Sequence, residues 1–296
     1  MTKRVAKFIF QNSLELAKSI EGNTSVLFYY NDVKDYLDED FVKNNDVKKI
    51  IIIREEEKEE DDKIIFEKLK SLGNLIVAPS INFNRMNKVK IALMMCMSSG
   101  MLSKDENLIA LTGVSDSIDT SIFIDISKEK ELLSFKGEID LEKSVKPEVF
   151  ERILRIALEL ANQGREGKSI GAIFILGDKE KVLENVKQMI FNPFKGYNPD
   201  ERNILKVNLD DTLKEFSLLD GAILIDADGV VESAGVFIAT STAVTEEIPK
   251  GLGSRHLAAA SITALTNAIS VVVSESTGDV TIFKNGNLIT RIEKAL

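Results

Sequence analysis

The sequence contains a single cysteine, Cys96, and a single histidine, His256, among its 296 residues. One cysteine excludes an intrachain disulfide framework and a cysteine-only zinc site, and it is typical of a protein in a reducing compartment. One histidine excludes most histidine-based metal sites and any mechanism that needs two imidazoles. The chain therefore folds without disulfides.

Long apolar runs and an excess of basic charge are also missing. The longest apolar runs, such as residues 91–97, are far shorter than the ~20 residues that span a bilayer, and the first residues lack the apolar core of a signal peptide. With 38 basic against 47 acidic side chains the net charge is −9, which disfavours a broad DNA-binding surface. We therefore expect a cytoplasmic protein that binds neither membranes nor nucleic acid.

The length and composition indicate two globular domains. At roughly 150 residues per domain the chain is long enough for two, and 44% hydrophobic beside 29% charged residues is a globular composition. Residues 127–148 are charged and lack a sustained apolar period, apart from a short strand predicted at 131–135. The sequence predicts domains at 1–130 and 149–296, joined by a linker over 131–148.

The first domain alternates strand-like and helix-like segments. Its continuous apolar runs are typical of strands that are buried on both faces. Strand and helix in alternation predict an α/β domain of three layers, in which helices cover both faces of a parallel sheet. The predicted strands lie at 25–30, 48–54, 74–79, 107–113 and 120–126, and the predicted helices at 6–20, 56–72 and 84–99.

The second domain mixes helices with hairpins. A long amphipathic helix comes first and is predicted to end at Gly164, and a second helix is predicted over 179–190. The Asp-Gly pair at 228–229 and the Asn-Gly pair at 285–286 are typical hairpin turns. We therefore expect an α+β domain with a mixed sheet.

The segment KGLGSRH at 250–256 lies immediately before a helix rich in alanine. Unpaired N–H groups and the positive end of the helix dipole attract anions at such a point. Gly251 and Gly253 allow close approach of the backbone, Ser254 can cap the helix and donate, and Arg255 can bind two phosphate oxygens at once. The alternative is a glycine loop with a serine N-cap and a surface arginine.

Asp220 opens an apolar segment that is predicted to be a buried strand. Two very small residues, Gly221 and Ala222, follow it. Its carboxylate could therefore act as a base beside a ligand whose flat ring lies against the backbone. The alternative is an ordinary turn that leads into a strand.

His256, Ser274 and Glu275 each have a chemical and a structural interpretation. His256 lies near a helix N-terminus, which disfavours the charged imidazolium, so we expect it to hydrogen bond rather than to act as an acid. The alternative is a structural histidine. Ser274 and Glu275 follow an apolar strand, where they could meet a phosphate or a metal, or could simply end the strand.

Taken in order, these motifs resemble the diadenylate cyclase domain of the bacterial DNA integrity scanning protein and of membrane-bound cyclic di-AMP synthases. The family pattern is DGA, G-T-R-H-R and V-S-E-E-T-G, and this chain has DGA at 220–222, GSRHL at 253–257 and VSESTG at 273–278. The resemblance covers about 150–293. The first domain is similar to the C-terminal domain of pyruvate kinase, especially over 100–126, and this pairing is that of archaeal diadenylate cyclases.

The resemblance implies a reaction in which two ATP molecules condense to cyclic di-AMP and release two pyrophosphates. Each 3′-hydroxyl attacks the α-phosphate of the other nucleotide, and Asp220 would be the general base. Mg²⁺ or Mn²⁺ would offset the phosphate charge, with Glu275 as its expected protein ligand. The residues implied to bind ATP are Gly221, Ala222, Gly253, Ser254, Arg255, His256 and Ser274. Because one site holds one ATP, two domains must face each other, so self-association is expected.

Three positions depart from the family pattern. Leu219 stands where some members have a metal-binding histidine, Leu257 replaces the second arginine of R-H-R, and Ser276 replaces the second glutamate of S-E-E. These departures motivate an alternative, a nucleotide-binding sensor or scaffold with little turnover. Such a sensor would bind ATP without releasing pyrophosphate.

Overall fold

The computed structural model divides the chain into two units, Met1–Leu132 and Leu133–Leu296, each with its own sheet. The described residues are 3–35, 37, 42, 45–54, 63–78, 83–103, 105–114, 116–129, 144–164, 170–238 and 253–294. Gly251 and the strand predicted at 131–135 lie outside them. Within these ranges, no helix combines the length and the apolar character that crossing a bilayer requires.

The first unit contains a five-stranded sheet. Its elements are α1 (Lys3–Ser19), β1 (Thr24–Tyr29), α2 (Tyr30–Val33), β2 (Lys48–Arg54), α3 (Lys63–Leu72), β3 (Asn74–Ala78), α4 (Arg85–Ser98), β4 (Asn107–Thr112) and β5 (Thr120–Asp125). The strand order is β3-β2-β1-β4-β5. The apolar runs of the sequence are thus strands, and β1 to β4 are mutually parallel.

Helices cover both faces of this sheet. On one face Phe28 of β1 packs edge-on against Phe10 of α1, with ring centroids 5.1 Å apart, and both belong to one core with Leu69 of α3. On the other face the hydroxyl of Tyr29 donates to the backbone carbonyl of Lys88 in α4 at 3.0 Å. Because successive side chains of a strand point to opposite faces, the unit has three layers.

The prediction of an all-parallel first sheet is wrong at β5. This strand pairs antiparallel with β4, from Asn107 opposite Asp125 to Thr112 opposite Thr120. Residues 113–119 connect the two strands, and a parallel crossover needs a dozen or more residues. The first sheet is therefore mixed, and the short connection is the physical reason.

The second unit contains a seven-stranded mixed sheet. Its elements are α5 (Pro147–Gln163), β6 (Ala172–Leu176), α6 (Lys179–Glu184), β7 (Val186–Gln188), a 3₁₀ turn (Pro199–Arg202), α7 (Asp210–Phe216), β8 (Ala222–Ile225), β9 (Val231–Ile238), α8 (Ser254–Leu265), β10 (Ile269–Val273), β11 (Val280–Lys284) and β12 (Asn287–Ile292). The order is β12-β11-β10-β6-β8-β9-β7. The parallel pair β6 and β8 lies beside the antiparallel β10, which confirms a mixed sheet.

Both predicted hairpin turns are present in the second unit. Gly229 joins β8 to β9 with a φ of 94°, and Asn285 and Gly286 join β11 to β12 with φ angles of 51° and 75°. The helix predicted over 179–190 is shorter than expected, because it ends at Glu184 and β7 follows. That strand pairs antiparallel with β9, so a long-range contact decides its conformation.

Candidate functional site

Three loops of the second unit meet at one edge of its sheet. Phe174 of β6 lies opposite Ile223 of the parallel β8, so the residues just before these strands share that edge. Val273 of β10 lies opposite Ala172 of β6 in antiparallel register, so Ser274 lies at the same edge. Adjacent strands are ~4.8 Å apart, and the loops before β8 and after β10 are therefore separated by about 10 Å.

Helix α8 begins at this edge with an uncapped first turn. Gly253 is the N-cap residue, and among the described residues no side chain caps the helix. The carbonyl of Gly253 accepts the backbone N–H of His256 at 3.0 Å. The expected serine N-cap is therefore wrong, since Ser254 is the first helical residue. A helix N-terminus without a side-chain cap presents N–H groups to a bound anion.

A cavity of about 520 Å³ opens beside this turn. Its volume lies within the roughly 300–1,000 Å³ that is usual for small-molecule sites. It is lined by Gly253, Ser254, Arg255 and His256 of the α8 segment and by Val273, Ser274, Glu275 and Ser276 from the end of β10. The structure thus brings together two motifs that are about twenty residues apart in the sequence.

An ion pair lies on the wall of this cavity. Nη1 of Arg255 donates to Oε2 of Glu275 at 2.9 Å, and the two side chains are 36% and 60% exposed. An ion pair this exposed contributes little to stability. A strongly charged anion can therefore replace Glu275 as the partner of Arg255.

Glu275 is the acidic side chain on the cavity lining. Over the part of the chain that the structure describes, no group of three or more His, Cys, Asp or Glu side chains could hold a metal ion. One carboxylate cannot hold a metal ion by itself. The cavity therefore fits a metal ion whose other ligands are oxygen atoms of a bound molecule.

His256 is a buried side chain, 6% exposed. Burial lowers the pKa of its imidazole, and the nearby Arg291 and Arg255 lower it further, against the opposing charge of Asp279. The ring packs edge-on against Phe283, with centroids 6.1 Å apart. The expectation of a neutral imidazole is consistent with this direction, whereas within the described residues the ring makes an aromatic contact and no hydrogen bond.

The loop after β10 is braced by its own hydrogen bonds. Oγ of Ser274 accepts the backbone N–H of Thr277 at 3.3 Å, and Oγ1 of Thr277 donates to Oδ2 of Asp279 at 2.8 Å. Burial would raise the pKa of Asp279, but hydrogen bonds from Arg291 and two other donors outweigh burial and hold that pKa below its ordinary value. The ionised Asp279 thus fixes the loop that carries Glu275.

The DGA motif lies at the same edge but not on the cavity lining. Asp220 is exposed and lies two residues before the first residue of β8. Gly221 has a φ of 110°, and a Cβ there would lie 2.8 Å from both the backbone N and O of Val236. Ala222 is fully buried in the hydrophobic core, where it stabilises the strand, and its expected contact with a nucleoside stays a prediction.

Replacing Gly221 with alanine should destabilise the second unit. The left-handed φ and the contact with the backbone of Val236 together should cost about 2 kcal/mol or more of the free energy of unfolding. Urea denaturation of the full chain measures this loss. Gly196→Ala is the matched control, because Gly196 also has a left-handed φ, of 99°, but a Cβ there would meet nothing within 4 Å. Equal stability of the two variants would contradict the argument.

Gly171, the residue before β6, belongs to the site although no motif of the sequence marks it. It is buried, and a Cβ there would lie 2.5 Å from Nη1 of Arg255 and 3.0 Å from Cβ of Glu275. The contact depends on the pairing of β6 with β10, which no local pattern reveals. The signal in the sequence was a glycine directly before a buried strand.

Comparisons with known proteins identify the family of the segment that carries these motifs. The family described as "DisA bacterial checkpoint controller nucleotide-binding" matches residues 159–288. A diadenylate cyclase of Methanocaldococcus jannaschii is 31% identical over 300 residues, which cover 96% of this chain and 96% of that protein. A diadenylate cyclase of Haloferax volcanii is 36% identical over 175 residues, which cover 59% of this chain and 64% of that protein.

Proposed function

The chain belongs to the diadenylate cyclase family, and we propose that the sheet edge carrying Asp220, Arg255 and Glu275 is its catalytic site. The enzyme condenses two ATP molecules into cyclic di-AMP and releases two pyrophosphates. Because the similarity to a named cyclase extends over 96% of the chain, the alternative of a sensor with little turnover is not favoured.

We propose that the cavity beside α8 holds the triphosphate of ATP. The observation that carries this assignment is Arg255, whose guanidinium lies at an uncapped helix N-terminus and is engaged by one exposed carboxylate. Phosphate oxygens can accept from this guanidinium and from the N–H groups of the first turn. The hydroxyls of Ser254 and Ser274 line the same cavity and supply further donors, while Gly253 lets the phosphates approach the backbone.

We propose that His256 contributes to ATP binding as a neutral imidazole. Its lowered pKa keeps a second positive charge away from the guanidinium of Arg255. The neutral imidazole keeps one ring N–H, which would donate to a phosphate oxygen. Its role in ATP binding is thus a proposal that rests on its position in the lining.

Asp220 is the proposed general base for the 3′-hydroxyl. Its carboxylate is exposed, and the loop that carries it lies two strands, about 10 Å, along the same edge from the end of β10. A single nucleotide spans this separation, with its phosphates beside Arg255 and its ribose towards Asp220. The proposed contact of Gly221 with the nucleoside is through its backbone, because the backbone of Val236 takes the space of a side chain there.

A divalent cation, Mg²⁺ or Mn²⁺, would enter as part of the substrate. Bound to ATP, such an ion offsets the charge on the phosphates. Glu275 would be the protein ligand of this ion, since it is the acidic side chain on the cavity lining and its ion pair with Arg255 is exposed. The described residues hold no group of three or more acidic, His or Cys side chains that could hold a metal ion, so phosphate oxygens would supply the other ligands.

The reaction requires two facing domains. Each 3′-hydroxyl attacks the α-phosphate of the other nucleotide, and one domain holds one ATP, so a pair related by twofold symmetry completes both bonds. The first unit is the proposed pyruvate-kinase-like accessory domain, in the arrangement of the archaeal enzymes. Because ATP is the substrate, we place the enzyme in the cytoplasm.

Arg255→Ala should weaken ATP binding by roughly tenfold to a hundredfold, since hydrogen bonds to charged groups contribute about 1.5–3 kcal/mol each. The affinity is measured by calorimetry with 3′-deoxy-ATP and Mg²⁺, a nucleotide that lacks the attacking hydroxyl and cannot react. Arg4→Ala, which removes an exposed arginine of α1, is the control. Unchanged affinity in Arg255→Ala would remove this residue from the phosphate site.

A further inference from the structure

Gly171 lies directly against the ion pair of the proposed phosphate site. A Cβ at this position would come within 2.5 Å of Nη1 and 2.8 Å of Cζ of Arg255, and within 3.0 Å of Cβ of Glu275. We infer that Gly171 is a positioning residue for ATP binding, because the guanidinium of Arg255 occupies the space that a side chain would fill. This inference rests on the proposed function, in which Arg255 binds the phosphates.

Space, and not backbone conformation, is what requires a glycine at position 171. Ten other glycines of the described residues have a positive φ, including Gly221, but Gly171 does not. An alanine could therefore adopt its backbone conformation without strain. The atoms nearest to a new Cβ belong to the far end of a long side chain, so the fold itself can tolerate the substitution.

An alanine at position 171 would displace the guanidinium of Arg255 much further than Glu275, whose Cβ at 3.0 Å needs to shift by only a few tenths of an ångström. The loop that carries Glu275 is held by the hydrogen bonds of Asp279 with Thr277 and Arg291. The guanidinium of Arg255 is the mobile partner, and it must move by about 1 Å to reach an ordinary contact distance. Displacements of this size at a site that orients a substrate are costly.

A double-mutant cycle tests this inference. The four proteins are the wild-type chain, Gly171→Ala, Arg255→Ala and the double variant, and the affinity of each for 3′-deoxy-ATP with Mg²⁺ is measured by calorimetry. Gly171→Ala should raise the Kd about tenfold while Arg255 is present. In the Arg255→Ala background the same substitution should change the Kd less than about twofold, because the guanidinium is gone and only the lesser contact with Cβ of Glu275 remains.

The outcomes separate the two proposals. If Arg255→Ala weakens binding and Gly171→Ala does not, Gly171 has no positioning role and the proposed function stands. If Gly171→Ala weakens binding equally in both backgrounds, or lowers the melting temperature equally in both, its role is structural and the inference is overturned. If Arg255→Ala itself leaves the Kd unchanged, the phosphate site is wrong and the inference fails with it.

Discussion

Asp220→Asn is expected to lower the rate of cyclic di-AMP formation about 10³-fold while ATP affinity stays within a few-fold of the wild-type value. General-base catalysis contributes ~10²–10⁴ to a rate, and asparagine keeps the shape of the side chain while removing its basicity. The affinity should persist because Asp220 lies outside the cavity lining that contains Arg255. Mass spectrometry of the products made from ATP and Mg²⁺ or Mn²⁺ measures the rate.

The matched control is Asp211→Asn. Asp211 is an exposed carboxylate in the first turn of α7, in the same unit, and its replacement should leave the rate unchanged. Pyrophosphate release should fall in parallel with cyclic di-AMP in Asp220→Asn. Full turnover in this variant would exclude Asp220 as the base.

Dilution of the enzyme should lower its activity more steeply than in proportion to its concentration. If two facing domains are needed for each product, the rate depends on the concentration of pairs. Well below the dissociation constant of the pair, a tenfold dilution should therefore lower the rate about a hundredfold. Initial rates over a dilution series, beside sedimentation at the same concentrations, measure both quantities.

Mixing provides the control for this dilution experiment. An excess of Asp220→Asn chains added to dilute wild-type enzyme forms mixed pairs, in which one of the two 3′-hydroxyls lacks its base. Formation of cyclic di-AMP should then decrease. A rate that is strictly proportional to the concentration of a sedimenting monomer, and is unaffected by the added variant, would rule out the facing pair.

Local sequence signals predicted the elements of both units well. The hairpin turns at Gly229 and Gly286 follow from residues that readily adopt a positive φ, and the strands of the first sheet follow from continuous apolar runs. The predictions for β5 and β7 were wrong because the pairing of strands distant in the sequence determines the conformation and direction of these segments. Residues 186–188 form a strand because they pair with β9. Strand β5 is antiparallel because the connection before it is too short for a parallel crossover.

The candidate site shows the same division. The order of the DGA, GSRH and VSE motifs was enough to identify the family and to nominate Asp220, Arg255 and Glu275. The burial of Ala222 in the core is decided by the packing of β8, and its contact with a nucleoside stays a prediction. Gly171 was missed, because its contact with Arg255 joins two segments that lie more than eighty residues apart.

The sequence by itself determined the family, the absence of disulfides, the main strands and turns, and the residue types that carry the chemistry. These properties depend on residue identity and on the preferences of a few neighbouring residues. Only the tertiary structure decided that β10 lies beside β6, and with it which loops share one edge and which side chains line the cavity. Strand order and register bring distant residues into contact, and spacing along the chain does not encode them.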